Sequence, residues 1–184
     1  MGLNKWFEKG LTAETYKADL DAHKDNFNHV YNNFEIPNDE AFFQAAKEKN
    51  LRVIALAEVW CGHCMLNIPI LLHILEKTEI PVRFLRRDEN LELMDQYLTN
   101  GKSRTIPIFI FIDEDGNEVG KWGPWAPATK ELVDELKVGL PPKEAEDYQE
   151  QFQKLIKAST KEFTENEKLW NGVYESIKTT ISNI

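Results

Sequence analysis

The sequence predicts an α/β fold, a mixed β-sheet flanked by helices on both faces, with helical extensions at the N- and C-terminal ends. Three observations carry this expectation. The nearly unbroken apolar run Leu51-Arg52-Val53-Ile54-Ala55-Leu56-Ala57 is too short for a helix and rich in branched residues, as a buried central parallel strand requires. Val82-Arg83-Phe84-Leu85-Arg86, Ile108-Phe109-Ile110-Phe111-Ile112 and Glu118-Val119-Gly120-Lys121-Trp122 read as further strands, the last two joined by the turn pair Asp115-Gly116. Helical periodicity fills the intervals, so the order β-α-β-α-β-β-α implies a sheet whose final hairpin supplies the antiparallel part.

The remaining elements follow in chain order. Thr12 suits a helix cap, and Tyr16, Leu20, His23, Phe27, Val30 and Tyr31 recur at three- and four-residue spacing, which reads as one amphipathic helix ending near Asn32-Asn33. Phe34-Glu35-Ile36-Pro37 is extended, because a residue before proline avoids helical dihedrals. A new helix starts after Asn38 or Asp39, carries Phe42, Phe43, Ala45 and Ala46, and ends around Asn50, where Asn suits a left-handed cap. After the central strand come Trp60-Cys61-Gly62-His63-Cys64, and then a helix of Met65, Leu66, Ile68, Ile70, Leu71, Leu72, Ile74 and Leu75 with one interruption at Pro69. Leu91, Leu93, Met94, Tyr97 and Leu98 suggest a short helix, and another runs from about Thr129 to Val138.

Leu140-Pro141-Pro142 is a linker signal, since two prolines end one helix and can begin the next. Beyond it Tyr148, Phe152 and Leu155, then Trp170, Tyr174, Ile177 and Ile181, mark two amphipathic helices that fold back on the domain. The expected organisation is an N-terminal helical extension over residues 1–35, an α/β domain over 36–139 and a C-terminal helical extension over 140–184.

Composition narrows the function. With 184 residues the chain supports one domain with appendages, and 42% hydrophobic against 29% charged residues is ordinary for a folded globular protein. The net charge of -9 repels phosphate backbones and acidic bilayer surfaces, so neither nucleic acid nor membrane is expected as a partner. No apolar run approaches the roughly 20 residues needed to span a bilayer. The start lacks the apolar stretch of a secretion signal, and Trp6 stands where a myristoylation motif needs Ser or Thr. A cytoplasmic protein is expected, as a monomer, with a dimer as the alternative.

The two cysteines, Cys61 and Cys64, lie at a strand-to-helix junction. A disulfide across so small a loop restrains the unfolded chain little, so its value is chemical. A helix N-terminus stabilises a thiolate through partial positive charge and free amide groups, which makes Cys61 the candidate nucleophile. Cys64, one turn on, is placed to attack a mixed disulfide formed at Cys61 and is the candidate resolving thiol. Gly62 permits tight entry into the helix. His63 can set a polar or positive imidazole near the sulfur, favouring thiolate and making the disulfide a better oxidant. Trp60 adjoins the nucleophile and borders its approach. The plainer alternatives are two structural thiols or half of a zinc site, the latter needing two further ligands.

These residues resemble the active site of the thioredoxin superfamily, over about Ile36 to Val138. WCGHC has the family's spacing, with the Gly-His dipeptide typical of protein disulfide isomerase domains. Pro69 is similar to the proline that kinks the family's active-site helix. Ile106-Pro107 resembles the family's cis-proline, whose preceding residue offers backbone hydrogen bonds to an extended substrate. Gly123 matches a glycine at the substrate groove.

The resemblance implies a thioredoxin-like fold and a thiol-disulfide oxidoreductase needing no cofactor and no metal. Its partners would be disulfide-containing protein or small-thiol substrates, with electrons drawn from a reductant the chain does not reveal. Two positions depart from the family. Ala55 stands where a buried acid assists the resolving thiol, leaving Glu58 as the candidate proton relay, and Met65 stands where a lysine is frequent. The absent acid supports an alternative of another class, a partner-binding module whose dithiol is vestigial or regulatory.

Overall fold

The structure is a computed structural model that describes residues 2–184; Met1, the first residue of the expected N-terminal extension, lies outside the described residues. An uninterrupted apolar strand must be covered on both faces, and β1 (Arg52–Ala57) is buried along its length from Val53 onward. β2 (Val82–Arg86) runs parallel to β1 with Val53 opposite Val82, and β3 (Ile108–Ile112) runs antiparallel on the other side with Ala55 opposite Phe109. β4 (Glu118–Trp122) pairs antiparallel with β3 and completes a four-stranded sheet of order β2-β1-β3-β4. The strand bounds agree closely with the apolar runs that predict them.

β4 is an edge strand, and only its last residue, Trp122, is buried. Trp122 stacks on Phe109 with ring centroids 4.9 Å apart, and its Nε1–H donates to Ser176 Oγ at 2.9 Å. The preceding turn is closed by Asp113, whose carboxylate accepts from the Asn117 backbone N–H and side-chain amide, with Gly116 at φ 83°.

At the N-terminus the structure differs from the single helix expected between Thr12 and Asn33. A short helix, α1 (Asn4–Lys9), comes first and buries Trp6. Next is α2 (Ala13–Ala18), where Thr12 Oγ1 accepts the Thr15 N–H at 3.2 Å, the expected cap. The chain breaks before α3 (Lys24–Asn33). The reason is that the two halves cover different surfaces. Tyr16 stacks on Phe84 of β2, ring centroids 4.4 Å apart, whereas α3, with Phe27 and Val30 buried, packs on the helix that follows β1. One straight helix presents a single stripe and cannot meet both. Between α1 and α2, Leu11 forms an isolated antiparallel bridge with Phe84 on the open edge of β2.

α4 (Glu40–Lys47) precedes β1, and Asn50 takes the left-handed conformation expected of it at φ 51°. α5 (Gly62–Thr78) leaves the C-terminal end of β1 as the central helix, with most of its residues buried. Pro69, which has no N–H for the Met65 carbonyl, lies within it without ending it. After β2 come a 3-10 turn (Arg87–Glu89) and α6 (Leu91–Met94), and after β4 comes α7 (Pro127–Leu136).

The C-terminal segment forms α8 (Tyr148–Glu165) and α9 (Glu167–Ser182). α9 packs on α4, α5, α7 and β4, burying Trp170, Tyr174, Ile177 and Ile181 at 3% exposure or less. The hydroxyl of Tyr174 donates to Asp39 Oδ2 at 3.3 Å, tying α9 to the start of α4. Among the described residues no helix is long and apolar enough to cross a membrane.

Candidate active site

Between the end of β1 and the start of α5, Glu58, Val59 and Trp60 turn the chain so that Cys61 becomes the N-cap of α5, in an extended conformation. Its Sγ accepts the N–H of Cys64 at 3.2 Å, as a capping side chain does. The Cys61 thiol also faces the carbonyl oxygen of Ile106 at 3.7 Å. Both cysteines are free thiols, Cys61 5% exposed and Cys64 2%. Gly62 opens the helix with nothing within 4 Å of the position a Cβ would take.

The two thiols are shifted in opposite directions in their readiness to ionise. A hydrogen bond from the Cys64 thiol holds the Cys61 pKa below its ordinary value against the opposing effect of burial, with help from the Cys64 and His63 backbone N–H groups and the Arg87 guanidinium. Burial pushes the Cys64 thiol well up, and the neighbouring Cys61 adds to the rise. A chain that ionises one thiol early and the other late has the division between attacking and resolving sulfur that an exchange reaction uses.

His63 departs from the sequence expectation. Its backbone N–H reaches toward Cys61, but its imidazole lies in an aromatic setting, with ring centroids 5.6 Å from Trp125 and 5.1 Å from Phe163. Burial, followed by the positive charge of Lys137, lowers the imidazole pKa to about 4. The side chain is therefore neutral at pH 7, so the expected positive charge beside the sulfur is not present. Thiolate stabilisation comes from backbone amides and from Cys64.

The second wall comes from the loop before β3. The Ile106–Pro107 peptide is cis, and both residues are buried. Gly123 lies against them at φ 117°, and a Cβ there would fall 2.3 Å from the Pro107 carbonyl oxygen, so the backbone is free to approach only because this residue is glycine. Trp60 is half exposed at the rim, and the Arg87 guanidinium stands 4.7 Å over its ring. Arg87 also donates to the Arg104 carbonyl at 3.0 Å, linking the Trp60 side of the site to the segment leading into Ile106.

Glu58 is buried at 5% exposure rather than turned to solvent. Its Oε1 accepts the Asp88 N–H at 2.9 Å and its Oε2 lies 3.8 Å from Arg86. Its charge raises the Cys64 pKa and its backbone bonds the same thiol, so Glu58 lies close to the resolving sulfur. Tyr16 completes the floor, its hydroxyl donating to the Glu58 carbonyl at 3.2 Å.

Trp60, Cys61, Gly62, Cys64, Ile106, Pro107, Gly123 and Glu58, all candidates from the sequence, come together in one place, and three of their neighbours escape the sequence. Arg87 and Tyr16 had no signal beyond an ordinary strand end and a core stripe. Phe163 lies about a hundred residues from the motif. Trp125, a candidate wall of the groove from its place in Trp122-Gly123-Pro124-Trp125, packs beside His63 and follows a second cis peptide, Gly123–Pro124.

A mixed sheet, a dithiol at the first turn of its central helix and a cis-proline facing that dithiol define a thioredoxin-fold domain with a redox-type cysteine pair. The family model described as Thioredoxin matches residues 10–137, and the chain belongs to that family. No curated protein matches it. Among solved structures, an HIV epitope-scaffold is similar at TM-score 0.71 and 13% identity, with 100% of this chain and 99% of that one covered. A protein of unknown function from Pseudomonas aeruginosa is similar at TM-score 0.61 and 16% identity, with 97% and 98% covered. At such identities the likeness is one of fold. It extends through the helical extensions.

Proposed function

We propose that the protein is a thiol-disulfide oxidoreductase that reduces disulfides of protein or small-thiol substrates in the cytoplasm. The observation that supports this best is the placement of Cys61, capped onto the Cys64 N–H at 3.2 Å and facing the Ile106 carbonyl at 3.7 Å. The Cys61 thiolate attacks one sulfur of the substrate disulfide, the S–S bond breaks, and the other sulfur leaves as a thiolate that takes up a proton. Cys64 then gives up its proton and attacks the Cys61 sulfur. The second substrate thiol is released and a Cys61–Cys64 disulfide remains. Two electrons and two protons have passed to the substrate, and an external thiol or dithiol donor restores the pair. The exchange needs no metal or organic cofactor.

The other residues have supporting roles. Glu58, next to the resolving sulfur, accepts the Cys64 proton in place of the acid that Ala55 lacks. Trp60 and Gly123 flank the approach, and the Ile106 backbone beside Pro107 pairs with an extended substrate segment in a β-like manner. In a reducing compartment net reduction is the direction of flow. The protein acts as a monomer.

The test is reduction of insulin by dithiothreitol with wild type and Cys61→Ser, together with partner capture on Cys64→Ser. Catalysis lost in Cys61→Ser, with stalled mixed disulfides on Cys64→Ser, is the expected result; equal rates for wild type and Cys61→Ser overturn it. Ala55 and the low exposure of Cys61 favour a second reading, a partner-binding module with a regulatory dithiol. Capture of the same partner by a variant lacking both cysteines would favour that module.

A further inference from the structure

His63 sits inside the active-site motif, yet its surroundings come from the far end of the chain. Its ring lies between Trp125, just after β4, and Phe163, on the last turns of α8. Its Nδ1 and the neighbouring Trp125 Nε1 are buried and find no hydrogen-bond partner among the described residues. An imidazolium carries two N–H donors and needs an acceptor or water for each, so a ring held this way is retained in its neutral form. The charge that bears on it is the Lys137 ammonium at the end of α7, which also opposes protonation; on its own element, Cys61 at the N-cap and Cys64 in the first turn are its neighbours along the chain. Phe163 is itself fixed from α9, since the Trp170 indole N–H donates to the Phe163 carbonyl at 2.8 Å.

We propose that the C-terminal extension is part of the redox site: Phe163 closes over His63, shields most of its imidazole from water, and thereby sets the Cys61–Cys64 couple toward disulfide reduction. The inference rests on the thiol-disulfide reading above and adds a positioning residue to it. A charged imidazole near Cys61 would stabilise the thiolate, hence the dithiol, and would make the disulfide a stronger oxidant. With the ring neutral that stabilisation is lost, and the dithiol gives up its electrons more readily. A Gly-His motif that alone suggests an oxidant is thus made a reductant by a helix outside the motif.

The experiment is the equilibrium of the full chain with glutathione and glutathione disulfide, measured for wild type, Phe163→Ala, His63→Ala and the double variant, alongside NMR titration of the His63 ring. Phe163→Ala is expected to shift the equilibrium roughly three- to tenfold toward the dithiol at pH 7, as the ring regains a midpoint near the ordinary histidine value of about 6.5. His63→Ala should abolish that shift in the Phe163→Ala background while changing the wild type by less than about twofold. In the wild type the ring should titrate at about 4.

A shift that persists in the double variant marks a merely structural effect of Phe163 and overturns the proposal, as does a wild-type ring titrating near 6.5. If Phe163→Ala does not fold, a wild-type ring titrating near 6.5 still overturns the proposal. Failure of the wild type to reduce insulin would sink the oxidoreductase reading, whereas failure of these equilibria sinks the role of Phe163 alone.

Discussion

The Cys61 thiol and the Ile106 carbonyl meet at 3.7 Å, bringing the first turn of α5 against the residue before Pro107. As a thiol, Cys61 is the donor in this contact. Once ionised it has no proton to give, and a thiolate repels a carbonyl oxygen. Ionisation of the nucleophile therefore frees the Ile106 carbonyl to accept from a substrate N–H, so that activation of the sulfur and exposure of its docking edge coincide.

Removal of the Cys64 thiol tests the origin of that ionisation. Its hydrogen bond is the largest influence lowering the Cys61 pKa. Cys64→Ala should raise the Cys61 midpoint, followed by thiolate absorbance against pH, and Cys64→Ser, which retains a donor, should raise it less. In the wild type one thiol should titrate below the free-cysteine value of about 8.5 while the other resists. An unchanged midpoint in Cys64→Ala would assign the effect to the backbone amides instead.

Glu58→Gln separates the two chemical steps. Glutamine keeps an oxygen for the Asp88 N–H, which Glu58 now bonds at 2.9 Å, so the fold should be retained. Formation of the mixed disulfide should keep its rate. Its resolution by Cys64 should slow by about a hundredfold or more, the range for a lost general base. Single-turnover kinetics with a chromogenic disulfide resolve both phases, and an unaltered second phase would remove Glu58 from the mechanism.

The sheet was legible because its strands are short apolar runs bounded by turn residues, and β1 and β3, buried on every residue from Val53 to Ala57 and Ile108 to Ile112, carry the strongest pattern. The redox motif was legible because its spacing is local. The break between α2 and α3 was not, because Tyr16 and Phe27 share one helical stripe in sequence and meet different partners in space. The state of His63 was hidden for the same reason: the motif says which groups can be near a sulfur, while burial by Phe163 depends on a long-range contact that periodicity does not report. Glu58 could be named as an acid near the cysteines, but its inward orientation depends on the Asp88 N–H, thirty residues away.

Gly123→Ala should destabilise the protein and damage the groove together. The position combines φ 117° with a Cβ contact of 2.3 Å to the Pro107 carbonyl oxygen, a backbone atom that cannot swing aside. A cost of at least about 2 kcal/mol is expected from the dihedral and the displacement combined. Urea denaturation measures the loss, and a parallel rise in KM for a peptide disulfide would show that the Pro107 segment has moved.

Trp170 anchors α9 and, through its indole N–H, positions Phe163. At 3% exposure its truncation to alanine should cost about 3–5 kcal/mol. Trp170→Phe should recover most of the packing but leave the Phe163 carbonyl without its donor. A melting temperature for Trp170→Ala equal to that of the wild type would mean that the C-terminal helices are not part of the stable core.

His63 also makes stability depend on pH. Its pKa is about 4 when folded and near 6.5 in an unfolded chain. Between those values the unfolded state binds a proton that the folded state refuses, so stability rises with pH across the window and falls as pH drops from 7 toward 4. The ring keeps some contact with solvent, which screens the effect, and a loss of roughly 1–2 kcal/mol between pH 7 and pH 5 is expected. His63→Gln removes the titrating group, so its urea midpoint should fall less than that of the wild type over the same interval. Parallel curves for the two proteins would mean that His63 is solvated and that Phe163 does not seal it.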